Sequence, residues 1–203
     1  MKKAGLSQWI KPLALAFCAG AIVIGPLDFF HAWTGVETYL DAPGTVTTAR
    51  WPWYVPLQMG LIGVTVLVTW ALFRLYVVDR LMGSEPAQRI PDRIVVPLSM
   101  VMVAAAYFLS AALLGMEDQP GVFFTLYTVS LGFVILSMSG HQAAAFVIVG
   151  FAGTLAETVL LSPSVNYYEF AHKELFGRVP SWLPFAYGWV GVYIHRVSRG
   201  VGR

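Results

Sequence analysis

Three strongly polar side chains interrupt long apolar stretches: Asp28, Gln58 and Glu157. A carboxyl or amide group in an apolar run is costly to desolvate, so each is by default a candidate for function. Together they could hydrogen-bond the head of an amphipathic ligand and leave its tail among apolar side chains. The structural alternative is that Asp28 and Glu157 are solvated at headgroup level and that Gln58 bonds a carbonyl freed by Pro56 or a neighbouring helix. Spacing alone leaves both readings open.

Other chemistry finds less support. Asp28-x-x-His31 and Glu169-x-x-His172 each place a carboxylate and an imidazole on one helical face. Di-iron bundles, however, need two Glu-x-x-His helices and two further glutamates, so no metal is expected. No Gly-x-Ser-x-Gly, phosphate-loop or His-Glu-x-x-His pattern occurs. The histidines, 31, 141, 172 and 195, fall outside or at the edges of the apolar runs, which makes a buried acid-base dyad hard to assemble. Neither catalytic residues nor a cofactor is expected. The hydroxyls of Ser110, Thr125, Thr128 and Ser130 lie in apolar runs, where they usually bond back to a carbonyl four residues earlier.

The elements that carry these groups follow from composition. The chain is 57% hydrophobic and 12% charged, with a mean hydropathy of +0.67. Those values exclude an ordinary soluble domain and point to an all-α integral membrane protein. Six runs approach the length needed to cross about 30 Å of hydrocarbon: 12–30, 54–78, 94–114, 121–138, 142–161 and 182–195. The first follows two lysines, but it is longer than a signal-peptide core and no clean cleavage site follows, so it is expected to be retained. Cys18, the single cysteine, cannot form an intrachain disulfide.

Lysines and arginines set the expected orientation. Lys2, Lys3, Lys11, Arg74, Arg80, Arg89, Arg93, Arg196, Arg199 and Arg203 fall on one side of a six-span layout, and Arg50, Lys173 and Arg178 on the other. Both termini are therefore expected in the cytoplasm. This basic face is an orientation signal and does not imply nucleic acid. Asp28, Gln58 and Glu157 then share one depth, in the outer part of the membrane.

Every connection is shorter than about 25 residues, too short for a soluble fold, so residues 1–203 are read as one membrane domain. Trp51, Trp53, Tyr54 and Trp182 are expected to anchor helix ends at headgroup depth, and Pro52 and Pro56 to allow a sharp helix entrance. In the segment 162–181, Tyr168, Ala171, His172 and Leu175 share one side of a helical period, which predicts a helix along the outer membrane surface. Small residues four apart, such as Ala16 with Gly20 and Gly140 with Ala144, predict close helix packing.

Three segments carry a resemblance. "WYVP", Trp53 to Pro56, is similar to the Trp-Trp-Val-Pro entrance to the second helix of the Insig family, six-helix sterol-responsive proteins of the endoplasmic reticulum membrane. "TLYTVSLG", Thr125 to Gly132, resembles that family's Thr-Leu-Ala-Ala-Leu-Ser-Leu-Gly. "SWLPFAYGWVGVYIHRVSR", Ser181 to Arg199, resembles its Ser-Trp-Leu-Pro run and glycine-bearing last helix. Thr154-Leu155 and Val165 to Tyr168 fall where the family has comparable residues.

The resemblance implies a non-catalytic lipid sensor or scaffold with a pocket among its helices, and makes Thr125, with Thr128 a turn further on, a pocket hydroxyl. Animal members hold an oxysterol and retain the escort protein Scap and HMG-CoA reductase. Here the partner-facing signature departs: Gly115 stands at the family's aspartate, Val134-Ile135 at its Trp-Trp pair, and Met138-Ser139-Gly140-His141 at its Asp-Arg-Ser-Arg. Ala104 stands where a pocket phenylalanine is found and Gly121 where a glutamine is, which should widen the cavity. The expectation is a distant, prokaryotic-type homologue binding a sterol or a diacylglycerol-like neutral lipid. It would reside in the plasma membrane if prokaryotic and the endoplasmic reticulum if eukaryotic, with other membrane proteins or its own copies as partners. A lipid-modifying membrane enzyme and a small transporter stand as alternatives. The first requires Asp28, Glu157 and a histidine to converge, and the second a polar path across the midplane.

Overall fold

Apolar side chains at helical spacing, with backbone groups that must be satisfied within the segment, leave helices as the only way for these runs to cross lipid. The computed structural model describes residues 7–40, 45–46, 51–86, 89–161, 168–199 and 201. Lys2, Lys3, Arg50, Arg203 and the Val165 to Tyr167 part of the resemblance lie outside the described residues. Six helices form the bundle: α1 (Ser7–Thr34), α2 (Val55–Met82), α3 (Asp92–Ala112), α4 (Gln119–Ser137), α5 (Gly140–Leu160) and α6 (Leu183–Ser198). The first five are long and apolar enough to cross a membrane.

The sixth expected span differs. α6 has 16 residues, about 24 Å at 1.5 Å per residue, short of a full hydrocarbon core. It need not match the bilayer, because it is buried on nearly every side and packs against α1, α2, α3, α4 and α5. Small residues make this possible. A Cβ on Gly191 would stand 2.3 Å from the Ala145 carbonyl oxygen, and one on Gly188 would stand 2.8 Å from the Phe146 ring. α1 and α2 are joined in the same way, with Gly20 against the Met59 carbonyl and Gly63 against that of Ala16.

Two helices contain a wider π turn, Ala19–Ile24 in α1 and Arg74–Val78 in α2. Arg74, near the C-terminal end of α2, is buried and donates to the carbonyls of Ser198 and Val201.

The segment expected as a surface helix contains a strand. With β1 (Glu37–Tyr39), β2 (Thr45–Val46), β3 (Trp51–Pro52) and β4 (Tyr168–Phe170), the loops between α1 and α2 and between α5 and α6 form two antiparallel pairs. In β1–β4, Glu37 lies opposite Phe170 and Tyr39 opposite Tyr168, and in β2–β3, Val46 lies opposite Trp51. Alternation of Tyr168 and Phe170 with exposed Glu169 is the period that operates there, and it buries Phe170. The helical match of Tyr168 with Ala171, His172 and Leu175 was a coincidence of spacing, overridden by a partner strand over a hundred residues away.

Candidate functional site

α1 ends at Gly35, whose φ of 78° is the left-handed conformation that closes a helix at little cost to glycine. The chain turns back there, and β1 carries Glu37 and Tyr39 over the last turns of α1, where Asp28 sits. Oδ2 of Asp28 accepts hydrogen bonds from the Tyr39 hydroxyl at 2.7 Å and from Trp51 Nε1 at 2.9 Å. Across the bundle, Glu157 accepts from the hydroxyls of Tyr168 and Tyr187. Gly153, one turn before Glu157, lets the Tyr187 ring lie against the α5 backbone, since a Cβ there would stand 2.5 Å from that ring. One loop strand and one helix thus each supply a tyrosine to the same carboxyl group.

Glu37 completes the cluster. It is 4% exposed, and its Oε1 has no hydrogen-bond partner. Burial, with the neighbouring carboxyl groups of Asp28 and Glu157, pushes Glu37 well above the usual carboxylate range, which favours its protonated, neutral form. Among the described residues no lysine or arginine pairs with any of the three carboxyl groups.

This cluster is the polar end of a slender cavity between α1, α2, α3, α5 and α6, with about 70 Å³ open to water-sized molecules. Its other walls are apolar: Ala16 and Gly20 of α1, Gly63 and Val66 of α2, Val103 of α3 and Ile194 of α6 among them. A cavity with convergent polar groups at one end and apolar walls suits an amphipathic ligand, although small-molecule pockets usually enclose about 300–1,000 Å³. Met59 and Met100, which line it, are the side chains most able to rearrange as it widens. The π turn of α1 contributes Ala19, Gly20 and Ile24 to the wall and adds a backbone irregularity of the kind common at functional sites.

Of the residues expected to hold a ligand, Asp28 and Glu157 line this cavity. Gln58, Thr125, Thr128, Ala104 and Gly121 do not. Gln58 is half-buried on α2. Thr125 and Thr128 are exposed on α4 and donate to the carbonyls of Gly121 and Phe124 at 2.8 and 2.9 Å. Gly121 is exposed beside Asp118, and Ala104 packs against the main core.

The four expected anchors also part company. Trp53 is 64% exposed, and Tyr54 meets it edge-on. Trp51 spends its indole N–H on Asp28, and Trp182 is 2% exposed in the cavity wall, edge-on to His31. Trp182 is therefore a packing residue of the site and not a headgroup anchor. Its position at the start of a helix resembles an anchor's, but that helix starts inside the protein.

His31 lies close to the cluster without joining it. Nε2 sits 2.9 Å from the Tyr107 carbonyl and 2.7 Å from Ser110 Oγ, and the ring stacks on Tyr107. Among the described residues no hydrogen bond links it to Asp28, Glu37 or Glu157. In the other carboxylate-x-x-His pair, Glu169 is paired with Lys173 and His172 with Glu174. Sequence reasoning missed Glu37, Tyr39, Tyr168 and Tyr187. Alternation in "ETY" and "YEF" could at most have put Tyr39 on one face with Glu37, and Tyr168 on one face with Phe170; nothing in it marks Glu37 or Tyr187 as functional.

No sequence-family profile matches the chain, and no curated protein matches it. Among solved structures, an Insig homolog from Mycobacterium vanbaalenii, MvINS, superimposes with a TM-score of 0.68 at 19% identity, covering 100% of this chain and 99% of that one. A cross-linked trimer of a cysteine variant of MvINS matches with a TM-score of 0.67, at the same identity and coverage. The protein has the fold of the mycobacterial Insig homolog along its whole length.

Proposed function

We propose that this chain, sharing the fold of the mycobacterial Insig homolog, is a non-catalytic membrane lipid-binding protein that senses or scaffolds through a neutral lipid held among its helices. The observation that carries this reading is the unpartnered, buried Oε1 of Glu37 at the polar end of an apolar cavity. A neutral carboxyl group can both donate to and accept from a hydroxyl or ester of a lipid head. Its apolar walls accommodate a diacylglycerol-like tail or a sterol, and occupancy requires the cavity to widen. Three carboxyl groups without a cation disfavour phosphate and free fatty acid heads in that position. The lysine and arginine asymmetry supports an orientation with both termini in the cytoplasm, in a plasma membrane if the source is prokaryotic. Association of copies belongs to the same proposal, supported by the trimeric form of the MvINS variant.

Native mass spectrometry of the detergent-extracted protein tests the reading. A neutral lipid should co-purify, and Glu37→Ala should lower its occupancy about tenfold, the loss expected for one buried hydrogen bond left unmade. Gln58→Ala and Thr125→Ala serve as comparators. Occupancy that falls in those two while holding in Glu37→Ala would move the site out of this cavity, and absence of any lipid from the parent protein would remove the function.

A further inference from the structure

A second groove lies at the opposite end of the bundle, between the start of α1 and the start of α3, with about 590 Å³ open to water-sized molecules. Its rim carries Lys11, Arg93 and Arg196 against one carboxylate, Asp92, and its floor is apolar, formed by Pro12, Leu15, Val96, Pro97 and Val197. The charges are not equivalent. Arg196 is buried and already pairs with Asp92, which also lies 3.6 Å from Arg199. Lys11 and Arg93 are exposed, and among the described residues neither has a carboxylate partner. The groove therefore presents two uncommitted cations above an apolar floor at the end of the membrane-spanning helices.

Both helices also carry a proline in the groove. Pro12 and Pro97 lack the N–H that would otherwise bond the carbonyls four residues earlier, so those of Gln8 and Arg93 lose their helical partners. Two backbone acceptors thus accompany two free cations. This pairing matches a headgroup with an anionic phosphodiester and free hydroxyls.

We propose that the groove is a binding site for an anionic phospholipid of the phosphatidylglycerol type, separate from the central cavity. The phosphodiester sits between Lys11 and Arg93, the head hydroxyls face the carbonyls of Gln8 and Arg93, and an acyl chain follows Leu15, Val96 and Val197. A basic pocket between helices at a membrane surface recognises anionic heads in this way. The site is independent of the neutral-lipid reading, because it shares no residue with the carboxyl cluster.

The test measures phosphatidylglycerol and phosphatidylcholine adducts on the whole protein by native mass spectrometry in a neutral detergent. The parent protein is expected to prefer phosphatidylglycerol, and Lys11→Ala with Arg93→Ala should cut that preference about fivefold per side chain while phosphatidylcholine retention is unchanged. Both side chains are exposed, so the thermal midpoint in lipid-free detergent should stay that of the parent. Lys11→Arg with Arg93→Lys should keep the preference, and raising salt should weaken it in the parent and in this charge-keeping variant but not in the alanine variant. An unchanged preference in the alanine variant would mean that phosphatidylglycerol binds elsewhere on the protein, and would overturn the proposal. Equal thermal stabilisation by soluble glycerophosphate would overturn it too, since the site would then be one for a free anion.

Discussion

The neutral form of Glu37 is favoured by where it lies: strand β1 places it against Asp28, and among the described residues no lysine or arginine pairs with either carboxyl group. A carboxyl group whose folded pKa is raised stabilises the fold fully below its unfolded value of 4.5, and that contribution is lost as pH rises toward the folded value. The contribution of Glu37 to the thermal midpoint should therefore fall as pH is raised above 4.5. Glu37→Gln, which cannot ionise, should fall less steeply and exceed the parent by a margin that grows with pH. Parallel pH profiles for the two proteins would show that Glu37 ionises as freely as it does in water. Sequence alone exposed Asp28 and Glu157, because each interrupts an apolar run. It did not expose Glu37, which sits in a polar loop where a glutamate carries no signal.

At the scale of elements, the central position of α6 rests on close backbone approach. The backbone oxygen of Ala145 cannot move aside for a Cβ on Gly191 without separating α5 from α6, so Gly191→Ala should cost about 1–3 kcal/mol, as overpacking does. Gly132 on α4 has open space where its Cβ would stand, so Gly132→Ala should be neutral or stabilising by up to about 1 kcal/mol through helix propensity. Thermal unfolding in detergent separates the two, and equal shifts would mean that α6 is not packed as described. The helices themselves were readable, since apolar runs of this length have few other solutions. The strands were not, because β1 and β4 are three residues each and derive their pairing from segments far apart in the chain.

Across the whole molecule, the basic end is more than an orientation signal. Oε1 of Glu85 lies 3.0 Å from His195 Nε2 and 2.9 Å from Ser139 Oγ, and Oε2 lies 3.0 Å from Arg199 Nε. The loop between α2 and α3 is thereby tied to the start of α5 and the end of α6. Burial alone would raise the pKa of Glu85, but the hydrogen bond and charge of His195, with the charge of Arg199, overcome it and hold the group at about 2. A depressed carboxyl pKa stabilises the fold above the unfolded value of 4.5 and ceases to do so as pH falls through about 2. Glu85→Gln should cost about 3 kcal/mol near neutral pH, the usual loss when one member of a buried pair is removed. Its deficit should narrow below pH 4.5, and a deficit independent of pH would assign the effect to packing.

Composition and the length of the apolar runs determined a helical membrane bundle, and the spread of lysine and arginine gave an expected orientation, because lipid leaves a chain few ways to satisfy its backbone. Motifs such as Trp53 to Pro56 and Ser181 to Arg199 pointed to the Insig fold that the comparison with MvINS supports. Only the tertiary structure decided which polar residues meet. It turned Thr125 and Thr128 outward, drew Trp182 into the cavity wall, and brought Glu37 and Tyr168 from two separate loops to Asp28 and Glu157. The physical reason is that a site in such a bundle depends on helix rotation and loop pairing. Both are set by contacts between distant segments, such as Gly153 beneath Tyr187 and Glu37 opposite Phe170.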